Sequence, residues 1–300
     1  MTKKIVSALA GRTVRCILFD LGSTLWTHNK SFDQLSQQRA VRQHMLAILR
    51  QHIDSRCFPY IDDITLGEQI AKAIRQRIYE LYMLNTRLEP DFATGVVEAL
   101  QQVGFPQVDR TVGAEIFEAL RTRSFNSRTL FEDTLTTLAT LKQRNFLLGV
   151  VTNRQYGGPL FVEDIRNFGL LDYFEELHIA TSADLNVRKP NPTIFRHALD
   201  ALGVPPEETV MVGDSLGADV VGAKELNIVA VWKPSPRVFA QARAAQEQEY
   251  TTQSFESRLI ESARQYEKSR GRPIPEDIMP DLIIEHLREL LDVFVEVGKQ

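Results

Sequence analysis

The sequence reads CILFDLGSTL over residues 16–25. A short apolar run leads into the carboxylate of Asp20, and a glycine and two hydroxyl side chains follow. Runs this short and this apolar are typical of strands buried on both faces of a parallel sheet. A carboxylate that follows such a strand lies at the end of the sheet where ligands bind in open α/β folds. The stretch therefore predicts a core strand with a polar site directly behind it.

Further apolar runs predict the rest of the sheet, at residues 146–153, 177–181, 210–214, 228–233 and 282–284. Helical stretches separate the runs after Asn153. One of them begins at Asn191 and Pro192, which suit an N-cap and a first turn, and ends at Gly203. Alternating strands and helices predict an α/β fold, a Rossmann-like parallel sheet with right-handed crossovers.

Residues 29–126 interrupt this pattern, because their apolar residues recur at helical spacing and no clear buried strand is present. We interpret them as an inserted all-helical domain, and residues 1–28 with 127–300 as the α/β core domain. Residues 237–277 form an additional insert within the core. Their apolar residues also recur at helical spacing and predict an amphipathic helix that packs on its own core or on a second subunit, with the first favoured: Phe255, Leu259, Ala263 and Tyr266.

Composition limits the classes of function. The chain has 35 basic and 39 acidic residues, a net charge of −4, so no basic excess indicates nucleic acid as a partner. No stretch approaches the roughly 18 apolar residues of a membrane span. The cysteines Cys16 and Cys57 are too few for a disulfide framework. We therefore expect a cytoplasmic protein that binds neither nucleic acid nor a membrane.

Polar clusters fall at the carboxyl ends of the predicted strands, and the first two combine a carboxylate with hydroxyl and amide groups. Asp20 suits a covalent nucleophile or an oxygen ligand for Mg²⁺, although for this cluster taken alone an Asx turn at the strand end is the favoured explanation. Thr152 and Asn153 suit a phosphate or oxyanion site, and a helix N-cap is their alternative explanation.

The other two clusters add a cation and more carboxylates. Lys189, followed by Pro190, suits the neutralisation of an anionic group, and a solvated loop residue is the alternative. Asp214 ends a predicted strand and Asp219 lies five residues later in the next turn, a pattern that suits a divalent cation or helix capping.

Taken together and in this order, the clusters resemble the haloacid dehalogenase-like superfamily, and within it the aspartate-nucleophile phosphatases with a helical cap. The stretch LGVPPEETVMVGDS over residues 202–215 is especially similar to that family. The resemblance covers residues 13–28 and 127–236 with the last strand and helix, but not the insert at 237–277. In residues 29–126 it extends only to the position and helicity of a cap domain. It implies a Mg²⁺-dependent phosphatase that acts on a small phosphorylated metabolite through an aspartyl-phosphate, as a monomer or a homodimer.

The resemblance also implies roles for individual residues. Asp20 would be the nucleophile and a Mg²⁺ ligand, with the backbone carbonyl of Gly22 and the carboxylate of Asp214 as further ligands. Asp219 would lie beside Asp214, either as a further ligand or as a residue that contacts the ligands and not the Mg²⁺ itself. The phosphoryl group and the substrate would contact the remaining candidates: Thr152, Asn153, Lys189, Ser23 and Thr24.

Gly22 departs from the family pattern, because these phosphatases usually carry there a second aspartate that protonates the leaving group and then activates water. General acid–base help is worth about 10²–10⁴ in rate. The departure leaves three hypotheses: a slower phosphatase, a substitute acid for which His28 is the first candidate, or a binding protein without turnover. Dehalogenation is a further alternative, since a leaving halide needs no proton, but Asp214 and Asp219 favour a cation and a phosphatase.

Overall fold

The computed structural model describes residues 9, 11–248, 254–269 and 274–296. The chain divides by packing into two compact units, one made of Met1–His28 with Arg128–Gln300 and the other of Asn29–Ser127. We refer to them as the sheet unit and the helical unit.

The sheet unit is built on a parallel sheet of six strands in the described residues: β1 (Cys16–Phe19), β4 (Leu147–Thr152), β5 (Ile179–Thr181), β6 (Thr209–Gly213), β7 (Val229–Trp232) and β8 (Leu282–Ile283). Their spatial order is β5-β4-β1-β6-β7-β8. A separate antiparallel ribbon pairs β2 (Trp26–His28) with β3 (Arg128–Leu130). The predicted α/β fold with a parallel sheet is confirmed.

Both faces of the sheet are covered, which explains why the strands are continuous apolar runs. Ile17 and Phe19 of β1 belong to one buried cluster, whereas Cys16 and Leu18 point into a second cluster on the opposite face. This alternation follows from the two-residue period of a strand. Because β1 is central, the residue after it lies in the middle of the row of strand ends.

Most helices of the sheet unit lie between its strands in the sequence, and the last one follows β8. They are α6 (Thr134–Gln143), α7 (Gly158–Asn167), α8 (Ser182–Leu185), α9 (Pro192–Leu202), α10 (Val221–Glu225), α11 (Pro236–Gln248), α12 (Phe255–Ser269) and α13 (Leu290–Val293), with a π-helical turn at Leu216–Val220. Short 3₁₀ turns occur at Leu170–Asp172, Glu176–His178, Pro206–Glu208 and Leu287–Glu289. The predicted start and stop of α9 are observed, since Asn191 is its N-cap and Gly203 adopts a left-handed conformation at its end.

The helical unit consists of α1 (Gln34–His52), a 3₁₀ turn at Ser55–Cys57, α2 (Asp63–Leu84), α3 (Phe92–Gln102), α4 (Arg110–Ala119) and α5 (Ser124–Ser127). Each of the helices α1–α4 follows an aspartate whose carboxylate accepts a backbone N–H of the first turn: Asp33, Asp62, Asp91 and Asp109. Its core includes many of the apolar residues whose helical spacing predicted this domain, among them Leu49, Ile70, Leu100 and Ile116. Leu35 belongs to the same apolar pattern but is 70% exposed.

The insert of the sheet unit contains α12, as predicted, and also α11, which was not predicted. Leu259 and Ala263 of α12 are buried against the same cluster as Leu216 and Trp232, so the stripe packs on its own core. Phe255 is partly buried there, and the ring of Tyr266 lies under the guanidinium of Arg237. Residues 270–275, whose glycine and prolines indicate a loop, lie mostly outside the described residues. None of the helices that the structure describes is long and apolar enough to span a membrane.

Candidate functional site

The carboxyl ends of β4, β1 and β6 bring the predicted site residues together. These strands are parallel neighbours in the sheet, so Thr152, Asp20 and Asp214 emerge at the same end of it. The sheet topology therefore joins residues that are more than a hundred positions apart in the sequence.

Three carboxylates form an acidic cluster at this end of the sheet. Asp20, Asp214 and Asp219 each offer an oxygen, and these oxygens lie within 4.8 Å of one another. Asp219 is carried inward by the π-helical turn, and its Oδ2 accepts the backbone N–H of Ser215 at 2.9 Å. A β-carbon at Gly213 would lie 2.2 Å from Cγ of Asp219, so glycine is required for this close approach.

The ammonium of Lys189 lies within the acidic cluster and donates hydrogen bonds to the oxygens around it. Its Nζ donates to Oδ1 of Asp20 at 2.7 Å, to Oδ1 of Asp219 at 2.6 Å and to the carbonyl of Val151 at 2.7 Å. The side chain is buried, and burial alone would lower the pKa of Lys189, but the charges of Asp20 and Asp219 outweigh it and raise that pKa. Lys189 is therefore a fixed cation inside the cluster and not the solvated loop residue of the alternative interpretation.

Asn153 holds the backbone of Lys189. Its Oδ1 accepts the Lys189 N–H at 2.8 Å, and its Nδ2 donates to the Lys189 carbonyl at 3.1 Å. One amide hydrogen is left for another acceptor. In the structure, the hydrogen bonds of Asn153 fix the position of the Lys189 backbone. The contact of Asn153 with a phosphoryl group stays a prediction.

The acidic cluster carries more negative charge than Lys189 offsets. Burial, with the charges of Asp20 and Asp219, raises the pKa of Asp214 well above its usual range. Burial also raises the pKa of Asp219 to about 6, in spite of the attraction of Lys189. A bound cation would relieve this excess, as metal sites do for buried carboxylates.

The donor set fits a hard divalent cation such as Mg²⁺. Asp214 is half-buried, and among the described residues no hydrogen-bond donor reaches its carboxylate. The same holds for the carbonyl oxygen of Gly22, within the part of the chain that the structure describes. Oxygen ligands from carboxylates and a backbone carbonyl are those that Mg²⁺ prefers. Asp219 has both oxygens engaged already, which suits a supporting position better than direct ligation.

The hydroxyl residues of the site differ in accessibility. Thr152 is buried at the end of β4, and its hydroxyl makes no hydrogen bond to another described residue. Ser23 is half-buried and has a left-handed φ of 59°. Thr24 is fully buried with its Oγ1 covered, so the predicted contact of Thr24 with substrate is not supported.

His28, the candidate substitute acid, is engaged elsewhere. Its ring nitrogen Nδ1 pairs with the guanidinium of Arg128 across the β2–β3 ribbon. Partial burial and the charge of Arg128 lower the pKa of His28. A neutral imidazole that accepts from an arginine is a poor proton donor, so the structure gives no support to this role.

Lys233 is a further polar side chain near the site that the sequence reasoning passed over. It follows β7, is buried, and donates from Nζ to the carbonyl of Ser23 at 3.2 Å. The only signal in the sequence was a lysine at the end of an otherwise apolar run, which is also the usual way for a strand to end.

Comparison with known proteins identifies the family. The haloacid dehalogenase-like hydrolase family model matches residues 14–227. Glyceraldehyde 3-phosphate phosphatase of Methanopyrus kandleri is 26% identical over 290 residues, which are 95% of this chain and 99% of that protein. The protein of the same name from Pyrococcus furiosus is 41% identical over 97 residues, and the match spans 32% of this chain and only 38% of that protein's length.

Solved structures agree on the fold. The crystal structure of a 2-haloacid dehalogenase from Pseudomonas syringae pv. Tomato DC3000 superposes with a TM-score of 0.54 at 21% identity, covering 94% of this chain and 98% of that one. At such identity the likeness concerns the fold alone. Since the family model spans well over half of the sequence and the motifs meet at one end of the sheet, the chain belongs to the haloacid dehalogenase-like hydrolases.

Proposed function

We propose that this protein is a Mg²⁺-dependent phosphatase that hydrolyses a small phosphorylated metabolite through an aspartyl-phosphate on Asp20. The observation that carries the proposal is the acidic cluster of Asp20, Asp214 and Asp219 with the buried ammonium of Lys189 inside it. The names of the relatives from Methanopyrus kandleri and Pyrococcus furiosus support phosphate monoesters as the substrate class.

Asp20 has one oxygen held and one available. Its Oδ1 accepts from Lys189, and no hydrogen bond from a described residue reaches Oδ2. In the proposed reaction a carboxylate oxygen attacks phosphorus, an O–P bond forms to Asp20 and the ester O–P bond breaks. Water then attacks the aspartyl-phosphate, which releases inorganic phosphate and restores the carboxylate.

The charges of the site suit this attack. A phosphate and a carboxylate repel each other, and Lys189 offsets part of that repulsion. Asp20, Asp214 and the Gly22 carbonyl would hold Mg²⁺, which when bound would neutralise further charge on the phosphoryl oxygens. The hydroxyl of Thr152 and the remaining amide hydrogen of Asn153 are the donors that we assign to the phosphoryl group.

Gly22 supplies no proton to the leaving group. In this proposal the leaving oxygen takes its proton from water, so substrates whose leaving group is already stable as an anion react fastest. Slow turnover of alkyl phosphates is therefore part of the proposed function.

A phosphate-release screen over many phosphorylated metabolites, with Mg²⁺ and with a chelator, tests the proposal. Asp20→Asn should abolish release while the fold stays intact, because the amide is nearly isosteric with the carboxylate. Asp200→Asn, an exposed aspartate of α9, is the matched control and should keep wild-type rates. Phosphate release that survives in Asp20→Asn, or that ignores chelation, would contradict the proposal.

Dehalogenation is a less favoured alternative, after a binding protein without turnover, because the absent acid at Gly22 suits a halide leaving group. The half-buried carboxylate of Asp214 favours phosphatase chemistry over it, since breaking a carbon–halogen bond needs no cation. Halide release from 2-haloacids, assayed on the same preparation without metal, separates the two functions.

A further inference from the structure

Lys233 is a buried lysine with no role in the proposed reaction, and it contacts the segment that follows Asp20. Lys233 is 3% exposed. Its backbone N–H donates to the carbonyl of Gly213 at 2.9 Å, which fixes it beside the end of β6 and hence beside Asp214. The lysine therefore occupies the next strand end in the same row that carries Asp20 and Asp214.

Among the described residues, the ammonium of Lys233 has a hydrogen bond and a ring contact, and neither is an ion pair. Nζ donates to the carbonyl of Ser23 at 3.2 Å and lies 3.7 Å from the centroid of the Phe131 ring. No carboxylate of the described residues lies within ion-pair distance. Burial lowers the pKa of Lys233 to about 8, although more distant acidic groups oppose the shift: Asp133, Asp214 and Glu285. An unpaired buried ammonium is costly, and costs of this kind concentrate at functional sites.

The backbone that Lys233 contacts is strained. Ser23 has a φ of 59°, the left-handed region that side-chain-bearing residues rarely adopt. Its N–H donates to the carbonyl of Trp26 at 2.8 Å, and its own carbonyl is the acceptor for Lys233. Both peptide groups around Ser23 are thus held, one by the ribbon and one by the lysine.

This strained residue determines where the Gly22 carbonyl points. The Gly22 carbonyl and the Ser23 N–H belong to one planar peptide group, so they point in opposite directions. Because Trp26 takes the N–H, the Gly22 oxygen is turned away from the ribbon and left without a hydrogen bond from any described residue. Rotation at Ser23 would move this oxygen, and the hydrogen bond to Lys233 opposes that rotation.

We propose that Lys233 is a positioning residue, whose ammonium holds the Ser23 carbonyl and so keeps the Gly22 carbonyl in place as a ligand for the cation of the acidic cluster. The role rests on the proposed function, because it concerns the same site. We do not assign Lys233 the role of the absent acid, because its buried Nζ contacts the Phe131 ring and the Ser23 carbonyl.

The test compares Lys233→Met, which keeps the length of the side chain but removes the ammonium, with Lys233→Arg, which keeps a cationic donor. Lys224→Met is the matched control: Nζ of Lys224 donates to Oδ1 of Asp281 at 2.5 Å, so the substitution removes a part-buried lysine whose ammonium binds a carboxylate and not the Ser23 carbonyl. The measurements are Mg²⁺ affinity of the full-length protein by titration calorimetry, and kcat and KM for para-nitrophenyl phosphate.

Lys233→Met should weaken Mg²⁺ binding by about 10–100-fold, the range for residues that orient metal ligands. Its kcat at a fixed Mg²⁺ concentration should fall, with KM little changed. Lys233→Arg should recover most of the affinity, and Lys224→Met should retain all of it. If Lys233→Met does not fold, Lys233→Gln replaces it, because the shorter neutral amide should lose Mg²⁺ affinity in the same way.

Two different failures are distinguishable. Wild-type protein that binds Mg²⁺ and releases phosphate, together with a Lys233→Met variant of equal affinity and kcat, would overturn the role of Lys233 alone. An equal loss in Lys224→Met would also overturn it, because the effect would then come from general destabilisation. Wild-type protein that neither binds Mg²⁺ nor releases phosphate would overturn the proposed function and this role together.

Discussion

Gly22 occupies the position that should limit the reaction rate, and its surroundings allow an aspartate there. Its φ is outside the left-handed range, unlike that of the neighbouring Ser23. A β-carbon built on Gly22 meets only Oδ2 of Asp20, at 3.9 Å, which is ordinary van der Waals contact. Neither backbone strain nor a steric clash therefore explains the glycine, and its effect on chemistry can be tested by substitution.

We expect Gly22→Asp to raise the turnover of alkyl phosphates by up to about 10²–10⁴, because the new carboxyl group can protonate the leaving oxygen. Aryl phosphates should gain much less, since an aryloxide leaves without help. The measurement is kcat for one alkyl and one aryl phosphate in both proteins, with folding checked by circular dichroism. Equal kcat values for the two substrates in wild-type protein would mean that another residue already supplies the proton.

Asp214 and Asp219 should respond differently to the same substitution. The carboxylate of Asp214 accepts no hydrogen bond from a described residue, so it is free to bind the cation. Asp214→Asn removes this carboxylate and should abolish measurable Mg²⁺ binding. Asp219→Asn alters a group already engaged with Lys189 and Ser215, so Mg²⁺ affinity should fall by only about 10–100-fold. Calorimetric titration of both variants tests this order, and a greater loss in Asp219→Asn would make Asp219 the direct ligand.

Helix α12 contributes stability through a few buried side chains. Leu259 is 2% exposed and packs in the cluster that also contains Leu216 of the π-helical turn. A β-carbon on Gly217 in the same turn would lie 3.6 Å from Ile274, just beyond the helix in the sequence. The insert therefore packs against the π-helical turn that carries Asp219.

Leu259→Ala should lower the free energy of unfolding by about 2–5 kcal/mol, the usual cost of a cavity at a buried leucine. Leu177→Ala is the control, because that leucine is 60% exposed and should change stability by no more than about 0.5 kcal/mol. Urea unfolding monitored by circular dichroism measures both. Equal stability losses in the two variants would show that α12 does not pack as described.

The sequence predicts the elements whose signal is strong and local. The strands of the sheet are apolar runs buried on both faces, and polar residues follow them. The sequence therefore indicates Asp20, Lys189, Asp214 and Asp219 as candidates, and the structure brings these four side chains together. The β2–β3 ribbon was missed because its strands have three residues each and are partly exposed. Helix α11 was missed because its buried side is formed by Val238 and Ala242, which give a weak apolar stripe.

Contacts between distant residues explain what sequence reasoning could not assign. That Asn153 holds the backbone of Lys189, and that Thr24 is covered, depends on side-chain directions that no spacing rule provides. Lys233 looked like an ordinary strand end because its partners, Ser23 and Phe131, lie on other strands' loops far away in the chain. Motifs reveal residues at strand ends, but the hydrogen bonds between those ends require coordinates.

Several buried charges make the stability of the whole molecule depend on pH, and Lys233 provides a separable contribution. Its pKa is lowered to about 8 in the folded protein by burial, against the opposing charges of Asp133, Asp214 and Glu285. A lysine in the unfolded chain keeps its proton up to its ordinary pKa of 10.5. Between these values the unfolded chain binds more protons than the folded chain at this residue, so its contribution to stability rises with pH.

The cost of burying the ammonium is therefore present in full below pH 8 and is relieved as the pH rises toward 10.5. Lys233→Met has no proton to lose at this position. The free energy of unfolding of wild-type protein, relative to that of the variant, should therefore increase between about pH 7.5 and about pH 10, where Lys233 loses its proton in the folded protein. Groups whose pKa does not depend on Lys233, such as the Cys16 thiol whose pKa burial raises to about 12, cancel in the difference. Urea unfolding of both proteins at the two pH values, without metal, is the measurement. A difference that stays constant or shrinks would mean that Lys233 keeps its proton throughout, and that its ammonium is better compensated than its contacts with Ser23 and Phe131 indicate.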